Sequence, residues 1–287
     1  MQQAPFTRSK AGIVLGVLGI GVLAIVLGGC RKSTPSSPSP SKAKPEVQDE
    51  AWRDQREKRA KLLYEVAKGT PLPEKIDKMK EIVHVYWDTE AGRSAFEQEI
   101  LYLVHGGEDR PDEAIREVKF FERRNPEAWE LLNGTGILCN ALKKRLVEHP
   151  DAADAARRSE FLRESLVLWK RIGRRLLENP ENRSNWTLYM NLAEAEIMSE
   201  NWEEAEKIWA QVETLDPPLS PHERYQTLNR RAELLRTKLG DPAKALKLFR
   251  LARRLMDEIS PTLPESHYDY IDKVIGELEA ELKDAKH

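Results

Sequence analysis

YMNLAEAEIMSENWEEAEKIWAQVETLDP, from Tyr189 to Pro217, is the stretch that decides the fold. Its apolar residues recur at three and four positions, as they do along one face of a helix. The small residues Ala193 and Ala205 let two antiparallel helices approach closely, and Trp209 is large enough to fill the groove toward a following pair. The stretch therefore predicts a helical hairpin.

This hairpin resembles a tetratricopeptide repeat. In that family the first helix carries a large residue, a leucine and a small residue, and the second carries small and aromatic residues before a closing proline. The residues at the corresponding positions are Tyr189, Leu192, Ala193, Ala205, Trp209, Val212 and Pro217. Glu196 and Val212 depart from the pattern, because the family usually has an aromatic and a smaller residue there. The resemblance implies a solenoid of packed repeats.

Three further stretches resemble the same pattern, which extends it over residues 95–257. A later copy has Ala245, Phe249 and Ala252 in its second helix, with Asp257 in place of the proline. An earlier copy has Leu101 in its first helix and Ala114, Val118, Phe121 and Pro126 in its second. A stretched copy has Trp129 and Leu132, then Ser165, Trp169, Ile172 and Pro180, with His149 to Ala156 as its loop. Spacings near forty residues leave HEAT-like and Sel1-like repeats as alternatives.

Helices near Ala51 to Lys68 and Ser266 to Ala285 flank the repeats. They predict N-terminal helices over residues 50–94 and a C-terminal capping helix over residues 258–287. The capping helix has one apolar stripe, formed by Tyr270, Ile271, Val274, Ile275, Leu278 and Leu282. No strand pattern follows Glu50, and prolines fall between the periodic segments. The sequence thus predicts an all-α helical-hairpin solenoid.

The N-terminus predicts membrane attachment. Residues 11–29 have no charged side chain and follow a short basic segment, as in an export signal over residues 1–29. Leu27, Gly28, Gly29 and Cys30 resemble the bacterial lipobox, which implies cleavage before Cys30 and acylation of its thiol. Arg31, where an inner-membrane lipoprotein commonly has aspartate, implies an outer-membrane anchor facing the periplasm. A retained single membrane span is the alternative.

Residues 30–49 predict a linker between this anchor and the helices. The segment RKSTPSSPSPSKAKPEVQD, residues 31–49, is rich in serine and proline and nearly free of large apolar side chains. Because such a segment cannot bury a core, we expect it to be extended and disordered. In a polyproline-like conformation its length is on the order of 60 Å.

Composition and motifs exclude several function classes. Lysine and arginine total 46 against 48 aspartate and glutamate, interleaved along the chain, which argues against nucleic-acid binding through bulk basic charge. Phosphate-binding, zinc-protease and serine-hydrolase motifs are missing from the sequence. We therefore expect neither enzymatic activity nor a metal or cofactor. Cys139 and most of the tryptophans (Trp129, Trp169, Trp202 and Trp209) are expected to be packing residues.

Protein binding is the expected function, because the first helices of a hairpin solenoid form a face that holds peptide segments. By family position, Met190, Glu194, Ile197, Arg230 and Leu234 line this groove. The alternative is recognition of an anionic envelope polymer or lipid by an arginine-rich helix. Its patch is formed by Arg163, Arg171, Arg174 and Arg175, with Arg157, Arg158 and Lys170 nearby. The favoured interpretation of this cluster, however, is an ordinary solvated face on which the cations pair with the local Glu160, Glu164 and Glu178. An enzyme acting on cell-wall glycan is a third, less favoured function.

Overall fold

A computed structural model describes residues 46–105, 109–259 and 263–285. The expected export segment, Cys30 and nearly all of the linker lie outside these residues. The described part contains eleven α-helices and a 3-10 turn, Pro180–Asn182. The helices are α1 (Glu46–Lys68), α2 (Glu74–Tyr86), α3 (Glu90–His105), α4 (Pro111–Glu122), α5 (Trp129–Glu148), α6 (Ala155–Glu178), α7 (Trp186–Met198), α8 (Trp202–Val212), α9 (Pro221–Thr237), α10 (Pro242–Ile259) and α11 (Glu265–Asp284). The all-α prediction is confirmed.

The helices pack as successive hairpins. Short connections join helices that contact each other, as in the pairs α5–α6, α7–α8 and α9–α10. The second helix of a pair also contacts the first helix of the next, as α6 does with α7 and α10 with α11. First helices α3 and α5 lie side by side. Within the described part, the chain is therefore a stack of helical hairpins, as predicted.

Four polar contacts between neighbouring hairpins have nearly the same sequence separation. The separation is 33 residues for Lys80–Glu113, 37 for Arg93–Glu130, and 36 for both Asn133–Glu97 and Arg230–Glu194. A hairpin of two medium helices and two short loops has about this length. Each contact thus joins equivalent positions on adjacent hairpins.

The α7–α8 hairpin packs through the residues that the sequence indicated. Ala193, Ala205, Trp209 and Val212 are completely buried in one cluster, and Tyr189 and Leu192 are nearly so. Pro217 is exposed and lies beyond the end of α8, so its assignment as a packing residue was wrong. Proline has no amide hydrogen to continue a helix, which suits this position after the helix.

The other hairpins also bury the predicted residues of their second helices. Ala245, Phe249 and Ala252 in α10, Ala114, Val118 and Phe121 in α4, and Ser165, Trp169 and Ile172 in α6 are buried. Leu101 is only half-buried, because its neighbours Ile100 and Leu103 face the core instead. Asp257 continues α10 and pairs with Arg253 one turn earlier.

The α5–α6 hairpin has the longest pair of helices, with 20 and 24 residues. The loop predicted at His149 to Ala156 is present, and α6 begins at Ala155. Gly136 lets α6 approach α5 closely, because a Cβ atom there would lie 2.7 Å from the Trp169 ring. A glycine inside a helix weakens it by roughly 1 kcal/mol, which the close packing of this ring offsets.

Three predicted boundaries were wrong. Helix α1 begins at Glu46, inside the expected linker. The boundaries at residues 94/95 and 257/258 divide α3 and α10, because helix ends are set by packing as well as by local propensity. Helix α11 agrees to within one residue at each end with the helix expected near Ser266 to Ala285, but it is shorter than the predicted capping segment 258–287, because α10 extends to Ile259. Ile271, Val274 and Leu278 of its stripe are buried against α9 and α10.

Candidate functional site

The first-helix face between α7 and α9 contains four of the five expected groove residues. Met190 and Ile197 are half-buried and pack against the α7–α8 core. Glu194 accepts a hydrogen bond from Arg230 at 3.1 Å, which joins the outer faces of the two helices. These residues form a surface with apolar side chains on both sides of an ion pair.

Leu234 does not belong to this surface, and its assignment to the groove was wrong. It is 4% exposed and lies in the same core cluster as Trp209 and Ala205. The apolar side chain is needed where the second hairpin of the pair packs on the first. Family position identified the helix of Leu234 but not the direction in which its side chain points.

The N-terminal end of α6 is fixed by ion pairs to distant parts of the chain. Arg158 donates two hydrogen bonds to Asp109, at 2.9 and 2.8 Å, and one to Asp154 at 2.6 Å. Arg145 of α5 also donates to Asp109, at 2.9 Å. The hydrogen bond from Arg158, aided by that from Arg145, lowers the pKa of Asp109. Arg157 pairs with Asp112 of α4 at 2.9 Å.

Two cations from the middle of α6 converge on the buried carboxylate of Glu196. Lys170 lies 3.2 Å and Arg174 2.8 Å from its oxygens, and Asn201 donates a third hydrogen bond at 2.7 Å. Glu196 is 1% exposed, on the buried side of α7. A charge buried at this depth is stable only when it is paired and hydrogen-bonded, as it is here.

The remaining cations of α6 face either α4 or the solvent. Arg171 and Arg175 both face Glu122 of α4, at 2.6 and 3.9 Å. Arg163 is exposed and has no ion pair to any residue in the described part. The expected pairing with local glutamates was therefore wrong, because the arginines reach carboxylates on α4 and α7 instead. Glu164 pairs with Lys119 of α4.

The outer side of α6 is concave. Three shallow concavities of about 580, 510 and 570 Å³ lie along it, between α4 on one side and the α7–α8 turn on the other. All three include Val167, which is 59% exposed. The basic residues along them are Lys119, Arg163, Lys170, Arg171, Arg174 and Arg175. We call this surface, from Arg163 to Arg175, the basic face.

A second polar cluster, which sequence reasoning missed, lies between α2, α3 and α4. Glu99 is completely buried and neither of its carboxyl oxygens has a hydrogen-bond partner. Burial, together with repulsion from nearby Glu117, raises the pKa of Glu99 well above its usual value. Glu117 is in turn 2.9 Å from Lys80 and 2.6 Å from His84. The sequence feature that could have revealed this buried carboxyl group is the position of Glu99 on the apolar stripe of α3, one turn from Ala95 and Leu103.

Other candidate groups lie apart from one another. Across the described residues, no group of three histidine, cysteine or acidic side chains is arranged to hold a metal ion. Cys139 is completely buried, as predicted, and burial raises the pKa of its thiol. Trp169 and Trp209 are core residues as expected, whereas Trp52 is half exposed. In the same part of the chain, no helix has the length and apolar character needed to cross a membrane.

Comparison with known proteins yields no match to a family model and none to a curated protein. Functional proposals for this chain therefore depend on its own surfaces and its own sequence.

Proposed function

We propose that this chain is a membrane-tethered binding protein that holds a segment of another envelope protein on its first-helix face. The observation that carries the proposal is the surface formed by Met190, Glu194, Ile197 and Arg230. Its half-buried apolar side chains offer some contact area, and its ion pair lies on the outer faces of two adjacent first helices. A face of this composition is suited to an amphipathic peptide, whose apolar side chains would rest on Met190 and Ile197.

The lipobox-like sequence supports the tether. Acylation of Cys30 would add about 0.8 kcal/mol of membrane affinity for each buried methylene group, and the several chains of a mature lipoprotein would make attachment stable. A cell-envelope location, with the domain on the periplasmic side, belongs to the same proposal. A single membrane span in residues 11–29 remains the alternative anchor.

The experiment is capture of partners from membranes after mild crosslinking of the full-length chain. Met190→Arg and Ile197→Arg together should abolish capture of a specific partner, since two charges would face its apolar residues. Leu251→Arg is the control, because it places an arginine at an exposed aliphatic position on second helix α10, outside this face. A partner retained by the double variant, with its helices intact by circular dichroism, would refute the assignment of this face.

The anchor is tested separately with Cys30→Ala. We expect this variant to lose metabolic labelling with a radioactive fatty acid and to leave the membrane fraction. An unlabelled variant that stays fully membrane-bound would replace the lipid anchor with a single span.

The anionic-ligand alternative has one specific observation in its favour. Arg163 is free of carboxylates, and Arg171 and Arg174 are more than half exposed on the basic face. It ranks second because five of the seven basic residues of α6 lie within 3.2 Å of a carboxylate. Binding of vesicles that contain anionic phospholipid, weakened steeply by salt, is the measurement that would favour it.

A further inference from the structure

Helices α6 and α11 have opposite charges. Helix α6 carries seven basic and three acidic side chains, whereas α11 carries seven acidic and two basic side chains. Within one chain, α11 packs against α10, and its outer side faces away from that contact. Complementary charge on two exposed helices of the same chain is a feature that another copy of the chain can use.

The outer side of α11 has the shape as well as the charge to approach the basic face. Exposed Asp269, Glu277 and Asp284 lie away from the buried stripe, with exposed Lys273, Gly276 and Ala280 between them. Glu277 is also 3.8 Å from Lys273 and 3.5 Å from Arg236 of α9, whereas no ion pair is seen for Asp269 or Asp284 in the described part. No atom lies within 4 Å of the place where a Cβ atom of Gly276 would be. Small side chains at the centre allow another helix to come close, and acidic side chains at both ends can form ion pairs. We call this surface the acidic face.

The basic face has the converse arrangement. Exposed Val167 is at its centre, and Arg163, Arg171 and Arg174 lie within two turns of it on the outer side of α6. The carboxylates that pair with Arg171 and Arg174, those of Glu122 and Glu196, are much less exposed than the guanidinium groups above them. This central part therefore has one apolar group among cations, and exposed Glu160, Glu164 and Glu178 also line the concavities.

We propose that the chain self-associates through these two surfaces, with the acidic face of one copy seated along the basic face of a second copy. Val167 would pack against Gly276 and Ala280, and the arginines of α6 would meet the carboxylates of α11. Because the two surfaces differ, the contact is head-to-tail. If two copies make this contact twice, each acidic face on the other copy's basic face, they form a two-fold dimer. If each pair of copies makes it only once, a chain of copies results. A second copy is favoured over an anionic polymer because the concavities have an apolar centre.

The test uses the full-length chain in a non-ionic detergent with micelles in excess, and measures its mass by sedimentation over a range of protein concentrations. We expect association at about 50 mM salt that weakens at least tenfold at about 500 mM, because exposed charges are screened. Arg163→Glu with Arg171→Glu, and separately Asp269→Lys with Glu277→Lys, should each abolish it. Either a dimer or a longer assembly supports the proposal.

The decisive arm is a one-to-one mixture of the two charge-reversed variants. Each variant alone should be monomeric, since like charges then face each other, whereas the mixture should regain association because both of its contacts are again complementary. Lys143→Glu with Lys247→Glu is the matched control: it changes the net charge as the first variant does, at exposed positions off both surfaces, and should associate normally.

Three results would overturn the proposal. They are a wild-type chain that stays monomeric at low salt, reversed variants that associate as the wild type does, and a mixture that remains monomeric although both variants keep their helices by circular dichroism. If a reversed variant unfolds, Arg163→Gln with Arg171→Gln takes its place and should weaken association at least tenfold. A monomeric chain that binds anionic phospholipid vesicles through Arg163 and Arg171 would assign the basic face to lipid instead.

Discussion

Gly136 and Gly276 both lie inside helices, but their surroundings differ. A Cβ atom at Gly136 would be 2.7 Å from the buried Trp169 ring, whereas one at Gly276 would meet nothing within 4 Å. The same change of residue therefore has opposite consequences at the two sites. The difference depends on what packs over each glycine and not on local helix propensity, which is the same for both.

Gly136→Ala should destabilise the fold by about 1–3 kcal/mol, the usual effect of overpacking, despite a gain of roughly 1 kcal/mol in helix propensity. Gly276→Ala, its matched control, should stabilise the fold by about 0.5–1 kcal/mol. Urea denaturation of both variants measures these changes. Equal effects of the same sign would contradict the close approach of α5 and α6.

Glu99 shows how a single buried carboxyl group makes stability depend on pH. Its pKa in the folded chain is raised, by burial first and by repulsion from Glu117 second. Because the pKa of Glu99 is higher in the folded chain than in the unfolded chain, the unfolded chain loses this proton at a lower pH. Its contribution to stability is therefore complete below the unfolded pKa and is lost as the pH rises through the folded pKa.

Glu99→Gln cannot ionise and should lack this loss. We expect the variant to match the wild type near pH 4 and to exceed it near pH 8 by about 1 kcal/mol or more, since one pKa unit corresponds to about 1.4 kcal/mol. Denaturation in urea at several pH values measures the difference. Glu65→Gln, at an exposed site on α1, is the control and should show no such trend. Parallel pH profiles for wild type and Glu99→Gln would disprove an unpaired buried carboxyl group.

At the scale of elements, α6 is held by partners from distant parts of the chain. Arg158 contacts Asp109, which is 49 residues away, and Arg171 contacts Glu122 at the same separation. These contacts connect the long α5–α6 hairpin to α4 and to Asp109, which lies just before α4. Asp109 is central, because it accepts from both Arg145 and Arg158.

Asp109→Asn should destabilise the fold by about 1–2 kcal/mol, because Arg145 and Arg158 lose their negatively charged partner and one of its two acceptor oxygens. Asparagine also suits the left-handed backbone at this position, where φ is 49°, so the change adds no backbone strain. The folded pKa of Asp109 is lowered, chiefly by the Arg158 hydrogen bond. Its contribution is present above the unfolded pKa and is lost as the pH falls through the folded pKa.

Thermal unfolding at neutral and acidic pH measures this effect. The deficit of Asp109→Asn should be full at neutral pH and should shrink toward zero in acid. The control is Asp54→Asn, which removes an exposed ion pair with Lys58 on α1 and should change stability little at either pH. A deficit that persists in acid would mean that packing, and not the charge of Asp109, is responsible.

At the scale of the whole molecule, a stack of hairpins is stabilised mainly between neighbours. Helix α11 covers one end of the described stack, with Ile271, Val274 and Leu278 buried against α9 and α10. Each fully buried aliphatic side chain contributes roughly 1.5–3 kcal/mol. The effect of losing α11 should therefore be large but local to that end.

Deleting residues 263–287 should destabilise α9 and α10 by about 5 kcal/mol and leave α2 to α4 almost unaffected. Hydrogen exchange measured by mass spectrometry should show faster exchange in α9 and α10 alone. Deleting only residues 283–287 removes no buried side chain among those described and should change nothing. Uniformly faster exchange along the whole stack would show that it unfolds as one cooperative unit.

The sequence by itself determined the helices and most of the packing within each hairpin. Apolar spacing, prolines at helix starts and the small and aromatic residues at Ala193, Ala205 and Trp209 operate over a few residues or one hairpin. Such local signals are readable without coordinates, because the helix period fixes which residues share a face. The cap formed by α11 was predictable for the same reason.

Only the tertiary structure decided which side chains meet across hairpins. Leu234 is in the core, Glu99 is buried without a partner, and the arginines of α6 pair with Glu122 and Glu196 and not with their local glutamates. The partners are 22 to 49 residues apart, and the rotation of each helix about its axis selects them. That rotation results from the packing of every neighbouring side chain at once, so no single stretch of sequence contains it.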